Sequence, residues 1–271
     1  MATASRPRVM GIVNVTPDSF SDGGRFLDAA DGIEHARRLI AQGAEMLDIG
    51  GESTRPGATP VSEFDEIMRV VPLIETIRKA SDIPISIDTM KPGVARAAVR
   101  AGATIWNDVT ALRFSPDAPE VAAELGCQVV LMHMLGEPGT MQDDPRYDDV
   151  VAEVEAFLLA RAFTAMAAGV VKEKIWLDPG IGFGKTTPHN LALLAALPRF
   201  VALGYPILLG ASRKRFVAGI DPSAGEATDR LGGSLAAHLA AAAAGVAAVR
   251  VHDVRETVQA LAVQAAIKSC R

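Results

Sequence analysis

Cysteine is scarce in this chain of 271 residues: Cys127 and Cys270 are the two present. They form no CxxC pair and neither stands at ligand spacing from a histidine, which excludes a thiolate metal site and a disulfide framework. Cys127 lies in an apolar run and reads as a small core residue, and a reduced compartment fits both. A basic excess is also missing. The 27 Lys+Arg stand against 32 Asp+Glu, for a net charge of −5, so there is no footprint for a phosphate backbone and nucleic acid is not expected as a partner. Long hydrophobic runs are lacking too. The most apolar stretch, Leu235 to Val251, is rich in Ala and broken by His238 and Arg250, which falls short of a membrane span. The opening MATASRPRVMG has no apolar segment of signal-peptide length, so a cytoplasmic protein without a membrane partner is expected. No composition shift or Pro/Gly/Ser-rich linker divides the chain, and one domain over residues 1–271 is expected. What remains is an ordinary globular balance, 49% hydrophobic and 22% charged. At this length it buries roughly 70–75% of its unfolded surface without a disulfide or structural metal.

The regularity that stands out is an alternation. Short β-rich or apolar runs occur at Val9–Val15, Glu45–Ile49, Ile85–Asp88, Thr104–Val109, Gln128–Met132, Ile175–Asp178, Ile207–Gly210 and Val246–Val251. Segments of helical spacing lie between them: Asp28–Gln42, Ser62–Lys79, Val94–Ala101, Pro119–Leu125, Val150–Ala168, Asn190–Leu203, Asp229–Ala244 and Val254–Ile267. The first sets Ile33, Ala36, Leu39 and Ile40 on one face, and the second sets Phe64, Ile67, Met68, Val71 and Ile74 likewise. Glycines 43, 102, 126, 169, 204 and 245 stand where helices end. Eight such βα units predict an α/β fold that closes as a single (β/α)8 barrel; a doubly wound open sheet would give the same local pattern.

In a barrel the C-terminal strand ends converge on one mouth. Those ends carry Asn14; Asp48 with Glu52, Ser53, Thr54 and Arg55; Asp88; Asn107 with Asp108; His133; Asp178; Ser212-Arg213-Lys214; and Arg250 with His252. Any one has a plain structural explanation, such as Asp88 or Asp253 capping the helix that follows. Eight together point to a site. Asp88, Asn107 and Asp178 are short acceptors suited to a planar heterocycle with several N–H donors. Arg55, Arg213, Lys214, Arg250 and His252 suit a phosphate or carboxylate. The reading is bipolar, with acceptors deep and cations at the rim, as an anionic nucleotide-like or pterin-like ligand needs. The Gly/Ser/Pro-rich segments 16–24 and 50–57 have the composition of mobile catalytic loops, and of plain surface loops. Gly180–Thr186 fails both phosphate-loop and dinucleotide templates, and reads as a tight turn displaying Phe183 and Lys185 over the mouth. His35, His189 and His238 read as packing or surface histidines.

The motifs NVTPDSFSDGG (14–24), GGESTRPG (50–57), SIDTMKP (86–92), WNDV (106–109), LMHM (131–134), LDPGIGFGK (177–185), GASRK (210–214) and RVHDV (250–254) resemble, in order and across all eight units, the dihydropteroate synthase family. The resemblance implies a barrel enzyme of folate synthesis. Such an enzyme joins p-aminobenzoate to 6-hydroxymethyl-7,8-dihydropterin pyrophosphate, releasing pyrophosphate with Mg²⁺ present, and works as a homodimer. It implies that Asp88, Asn107, Asp178 and Lys214 bind the pterin and that Arg250 stacks on its ring. Thr54, Arg250 and His252 would hold the diphosphate, with Asn14 as a Mg²⁺ ligand. Phe20, Arg55, Pro56, Phe183, Ser212 and Lys214 would surround the aminobenzoate, and Asp88, Asp178, Lys214, Arg55 and Thr54 would serve catalysis. The chemistry that follows is a dissociative displacement without a covalent enzyme intermediate, since no residue looks like an activated nucleophile. Two rivals are a pterin barrel transferring methyl groups to a corrinoid protein and a paralogue that only binds pterin. The first leaves the SRK triplet, RVHDV and the two loops without a purpose, and the second lacks the loss of functional side chains that would support it.

Overall fold

The computed structural model describes residues 6–15, 24–53, 59–137 and 139–270, with 24–30 as backbone only. Its elements run β1 Arg8–Asn14, α1 Gly24–Ala41, β2 Met46–Gly50, α2 Glu63–Ala80, β3 Ile85–Asp88, α3 Pro92–Ala101, β4 Ile105–Asp108, α4 Ala118–Leu125 and β5 Gln128–Met132. They continue as α5 Val150–Ala167, β6 Ile175–Asp178, α6 Thr187–Ala195, α7 Leu197–Val201, β7 Leu208–Leu209, α8 Leu231–Ala244, β8 Ala248–Val251 and α9 Val254–Ser269. All strand pairs are parallel, in the order β6-β5-β4-β3-β2-β1-β8-β7. A parallel bridge from Leu177 to Ile207 joins the two outer strands, and the Leu177 N–H donates to Pro206 O at 3.0 Å. The sheet therefore closes on itself, and the open doubly wound alternative is excluded.

Side chains alternate in and out along each strand, so every strand but β3, which has Ser86 at the inward position, contributes to two cores. Outward residues such as Val9, Val13, Leu47, Ile49, Ile85, Ile87, Val129, Leu131, Ile175 and Leu177 pack under the helices. Inward residues Met10, Met46, Ile105, Val130, Trp176, Leu208 and Ala248 form a separate plug within the barrel. The Arg8 guanidinium lies 5.0 Å from the Trp176 ring centroid beside this plug. Two residues further along the same inward parity stand Asp48, Asn107, Asp178 and Arg250, and Asp88 lies two beyond Ser86. The fold thus delivers polar side chains to the C-terminal end of a lumen that is apolar below.

Two local expectations need correction. The single helix expected over Asn190–Leu203 is two, α6 and α7, and its start lies earlier, at Thr187. Pro198 has no N–H to give and its ring opposes the preceding turn, so the chain bends at Ala196 (φ −86°, ψ 4°) and restarts. The earlier start is fixed by Thr186, whose hydroxyl accepts from His189 N while the His189 ring accepts from Thr186 N. On α2 the buried face is Glu66, Val70, Leu73, Ile74 and Ile77, while Phe64 and Met68 face solvent. A charged residue replaces an apolar one on the inner stripe, and the pattern rotates by about one residue when that is not known. The six glycines placed at helix ends all have positive φ.

Candidate active site

The floor of the mouth is an ion-pair network that spans five adjacent strands, with side chains from four of them. Arg250, from β8, reaches past β1 and donates from Nε to Asp48 Oδ2 on β2 at 2.5 Å. Its Nη2 donates to Asp88 Oδ2 on β3 at 2.7 Å. Asn107 on β4 extends the chain, its Nδ2 lying 3.4 and 3.3 Å from the two Asp48 oxygens. The register makes this possible: Asp48 pairs with Ser86, Gly50 with Asp88 and Asp88 with Asn107. Burial raises the Asp88 pKa and the nearby Asp48 charge acts the same way, outweighing Arg250. Burial alone would lower Arg250, but Asp48 and Asp88 hold it firmly charged. The cation thus lies among the acceptors, not at the rim as expected from residue types.

The opposite wall is built on β6 and the loop after β7. Asp178, buried at the end of β6, accepts from Gly180 N at 2.7 Å, and its pKa is pushed up to about 6 by burial against the opposing pull of that bond and of Lys214. The Lys214 ammonium lies 4.0 Å from the Phe183 ring centroid. Ser212 is buried, and its hydroxyl sits 3.1 Å from both the backbone nitrogen and Nδ1 of His252. Asn14 ends β1 paired with Gly50, beside Asp88. Asn14, Asp88, Asn107, Asp178, Phe183, Ser212, Lys214, Arg250 and His252 are thus brought to one mouth. Phe20, Thr54, Arg55 and Pro56 lie outside the described residues.

Several strand-end residues do other work. Asp108 points outward, one residue out of phase with Asn107, and its carboxylate accepts from Thr110 N, Thr110 Oγ1 and Leu112 N at 2.7–2.8 Å. Arg213, expected to meet an anion, is bound by Asp253 through Nε (2.9 Å) and Nη2 (2.5 Å). That pairing also takes Asp253 away from the capping role expected of it, for no side-chain cap bond forms at α9. Lys185 does not display itself over the mouth: it is 3% exposed and turned into the protein. Two groups were given no role from the sequence. Asp48 had a signal, since it shares inward parity with Met46. The ion triad of Lys91 with Glu52 (2.7 Å) and Glu66 (2.6 Å) had a weaker one, a glutamate on the apolar stripe of α2.

Among the described residues no group of three or more His, Cys, Asp or Glu side chains could hold a metal ion. A magnesium ion that keeps waters and phosphate oxygens needs only one or two protein oxygens. Asn14, a neutral oxygen donor beside a carboxylate-lined floor, fits that donor set.

These features define a barrel whose C-terminal mouth is furnished for a polar heterocycle. The family model described as pterin binding enzyme matches residues 10–252, and the chain belongs to that family. Within it the chain falls among the dihydropteroate synthases. It is 48% identical over 270 residues to the dihydropteroate synthase of Escherichia coli strain K12, covering 98% of this chain and 94% of that one. The enzyme of Mycobacterium leprae is 48% identical over 261 residues, 94% of this chain and 92% of its own. Among solved structures, the Xanthomonas albilineans dihydropteroate synthase with 4-aminobenzoic acid superposes with a TM-score of 0.92 at 52% identity, covering 98% and 94% of the two chains. The same organism's enzyme in complex with 7,8-dihydropteroate gives 0.89 at 49%, covering 98% and 95%. The activity that goes with this membership is an alkyl transfer in folate synthesis, forming dihydropteroate.

Proposed function

We propose that the chain forms 7,8-dihydropteroate and pyrophosphate by a dissociative displacement at the pterin methylene, with its own carboxylates stabilising the cation that develops there. The observation that carries this is the lining of the mouth: three carboxylates, Asp48, Asp88 and Asp178, gather around Arg250, Lys214 and Lys185. These carboxylates are held at the floor of the mouth, where fixed charges act strongly on a developing cation.

Each side chain then has a task in this reading. Asp178, Asp88 and Asn107 accept from the N–H edge of the pterin, and Lys214 donates to it. Arg250 lies over the carboxylates where the ring would rest and extends its positive field towards the diphosphate, with His252 beside it. Phe183, Ser212 and Lys214 border the aminobenzoate, with Phe20, Arg55 and Pro56. Thr54 and Arg55 serve catalysis beside them. The aniline nitrogen is neutral at pH 7 and nucleophilic, so it needs placement more than deprotonation. Magnesium, held through Asn14 and diphosphate oxygens, would neutralise charge on the leaving group. A homodimer and a cytoplasmic setting belong to the same reading; among the described residues no helix is long and apolar enough to cross a membrane.

The test follows pyrophosphate and dihydropteroate together, with and without p-aminobenzoate. One-for-one formation, dependent on the amine and lost in Asp178→Ala and Lys214→Ala, is the expected result. Tight pterin binding with neither product would sink it.

A further inference from the structure

The loop after β6 is held in an unusual way. Gly180 has φ +69°, and a Cβ there would come within 1.9 Å of His133 O. At Gly184 (φ +63°) a Cβ would meet Leu135 at 2.7 Å. The loop is therefore seated directly on the backbone that follows β5. Side chains then take up its carbonyls one after another. Gln142 Nε2 donates to Gly182 O at 2.6 Å, Tyr147 Oη to Gly184 O at 2.8 Å, and Asn190 Nδ2 to Thr186 O at 2.8 Å. The carbonyl of Phe183 itself is taken by Lys185 Nζ at 2.9 Å. That ammonium also meets His133 Nδ1 at 2.9 Å and His133 O at 3.4 Å. Lys185 is 3% exposed, and His133, 5% exposed, is wedged edge-on against the Phe157 ring at 4.8 Å.

A lysine costs a great deal to bury, and a loop could be fastened with a neutral side chain. Three acceptors around one Nζ match the three N–H bonds of an ammonium. What this fastening controls is Phe183, whose ring carries the Lys214 ammonium on its face. We propose that Lys185, acting through His133 and the carbonyl of Phe183, is a positioning residue that sets the Phe183 wall and so tunes capture of the aromatic amine separately from capture of the pterin. This rests on, and deepens, the dihydropteroate-forming reading of the same mouth.

The surroundings make the device sensitive to pH. Burial pulls Lys185 down to about 7; Asp178 on β6 pulls the other way, and Lys214 adds to the lowering. Burial, Lys185 and Arg113 hold His133 down to about 3, so its ring is neutral and Nδ1 can accept. Tyr147, the remaining titratable group against His133, is raised by burial and stays a phenol. Above pH 7 a neutral amine has two N–H bonds for three acceptors, and the fastening loosens.

The experiment measures KM for p-aminobenzoate and for the dihydropterin pyrophosphate separately, from pH 6 to 8.5, in the wild-type enzyme, Lys185→Met and Tyr147→Phe. Lys185→Met should raise KM for p-aminobenzoate on the order of tenfold, leave KM for the pterin within about twofold, and leave kcat at saturation nearly unchanged. In the wild type KM for the amine should rise with pH through about 7, and in Lys185→Met that rise should vanish. Tyr147→Phe, which deletes one hydroxyl that fastens the same loop at Gly184 O, should show the same split at smaller size, and it serves where Lys185→Met fails to fold. Equal changes in both KM values, or no change in either, with the wild type active, would overturn this inference and leave the reaction assignment standing. A wild-type chain that forms no product would remove the assignment, and the inference with it.

Discussion

Arg250 serves two carboxylates with one guanidinium, and that sharing decides how the floor responds to substitution. Replacing it by methionine would leave Asp48 and Asp88 buried together with no cation between them. The expected cost is about 3–5 kcal/mol, read as a lowered unfolding midpoint, and Asp48→Asn in the same chain should recover part of it. Asp178 gives a second expectation. Its pKa of about 6 means that it is a carboxylate above pH 6 and a neutral acid below, so KM for the pterin should rise as pH falls through about 6. A pterin KM flat from pH 5 to 7 would contradict the acceptor role. At this scale strand parity is a signal that residue type alone does not use, and Asp48 went without a role for that reason. Asn107 and Asp108 are neighbours on one strand and cannot both face the lumen, and Asp48 follows Met46 at the inward spacing. Arg213, by contrast, looks like an anion ligand because its partner Asp253 lies forty residues away, and no local pattern announces a tertiary pair.

Elements carry the second set of consequences. Lys91, ahead of α3, ties Glu52 after β2 to Glu66 inside α2, and Glu52 also accepts from Val61 N at 2.9 Å. The triad thus pins both flanks of the 54–58 segment to the barrel. Lys91→Met would strand a buried glutamate, Glu66, already raised by burial, together with the partly buried Glu52. A loss of about 3–5 kcal/mol is expected, larger than for deleting an exposed pair such as Arg146–Asp144. After β4, Ala111 and Leu112 both have positive φ (54° and 61°), held by Asp108 from within and by Arg161, which donates to the carbonyls of both residues. Ala111→Gly should therefore be neutral or stabilising by denaturant titration, where glycine ordinarily costs up to about 1 kcal/mol. The helices and strands themselves were readable from periodicity and terminal glycines. The face of α2 was not, because Glu66 occupies an inner position that hydrophobicity alone assigns to the outside.

Over the whole molecule, barrel closure is unevenly secured. Seven neighbouring strand pairs have a registered ladder, and β6 and β7 meet through a single bridge, with β7 two residues long. The chain of eight βα units was legible. Closure was expected from the number of units and from the resemblance, not from local pattern, since an open sheet has the same local signals and the Leu177–Ile207 pairing distinguishes them. Burial also gives the molecule a pH signature. Asp178 binds its proton more tightly folded than unfolded, so stability should fall as pH rises from about 4 to 6. Lys185 holds its proton less tightly when folded, so stability should rise from about pH 7 towards 10. These two groups together place a shallow minimum near neutrality. At the mouth, the cluster of carboxylates gains a purpose if positive charge appears on the pterin methylene before the amine bonds to it. The direct test is the secondary deuterium isotope effect on kcat/KM with the methylene deuterated. A clearly normal effect is expected for a carbon that rehybridises as pyrophosphate leaves; an effect of unity or below would contradict the dissociative displacement and the role given to Asp48, Asp88 and Asp178.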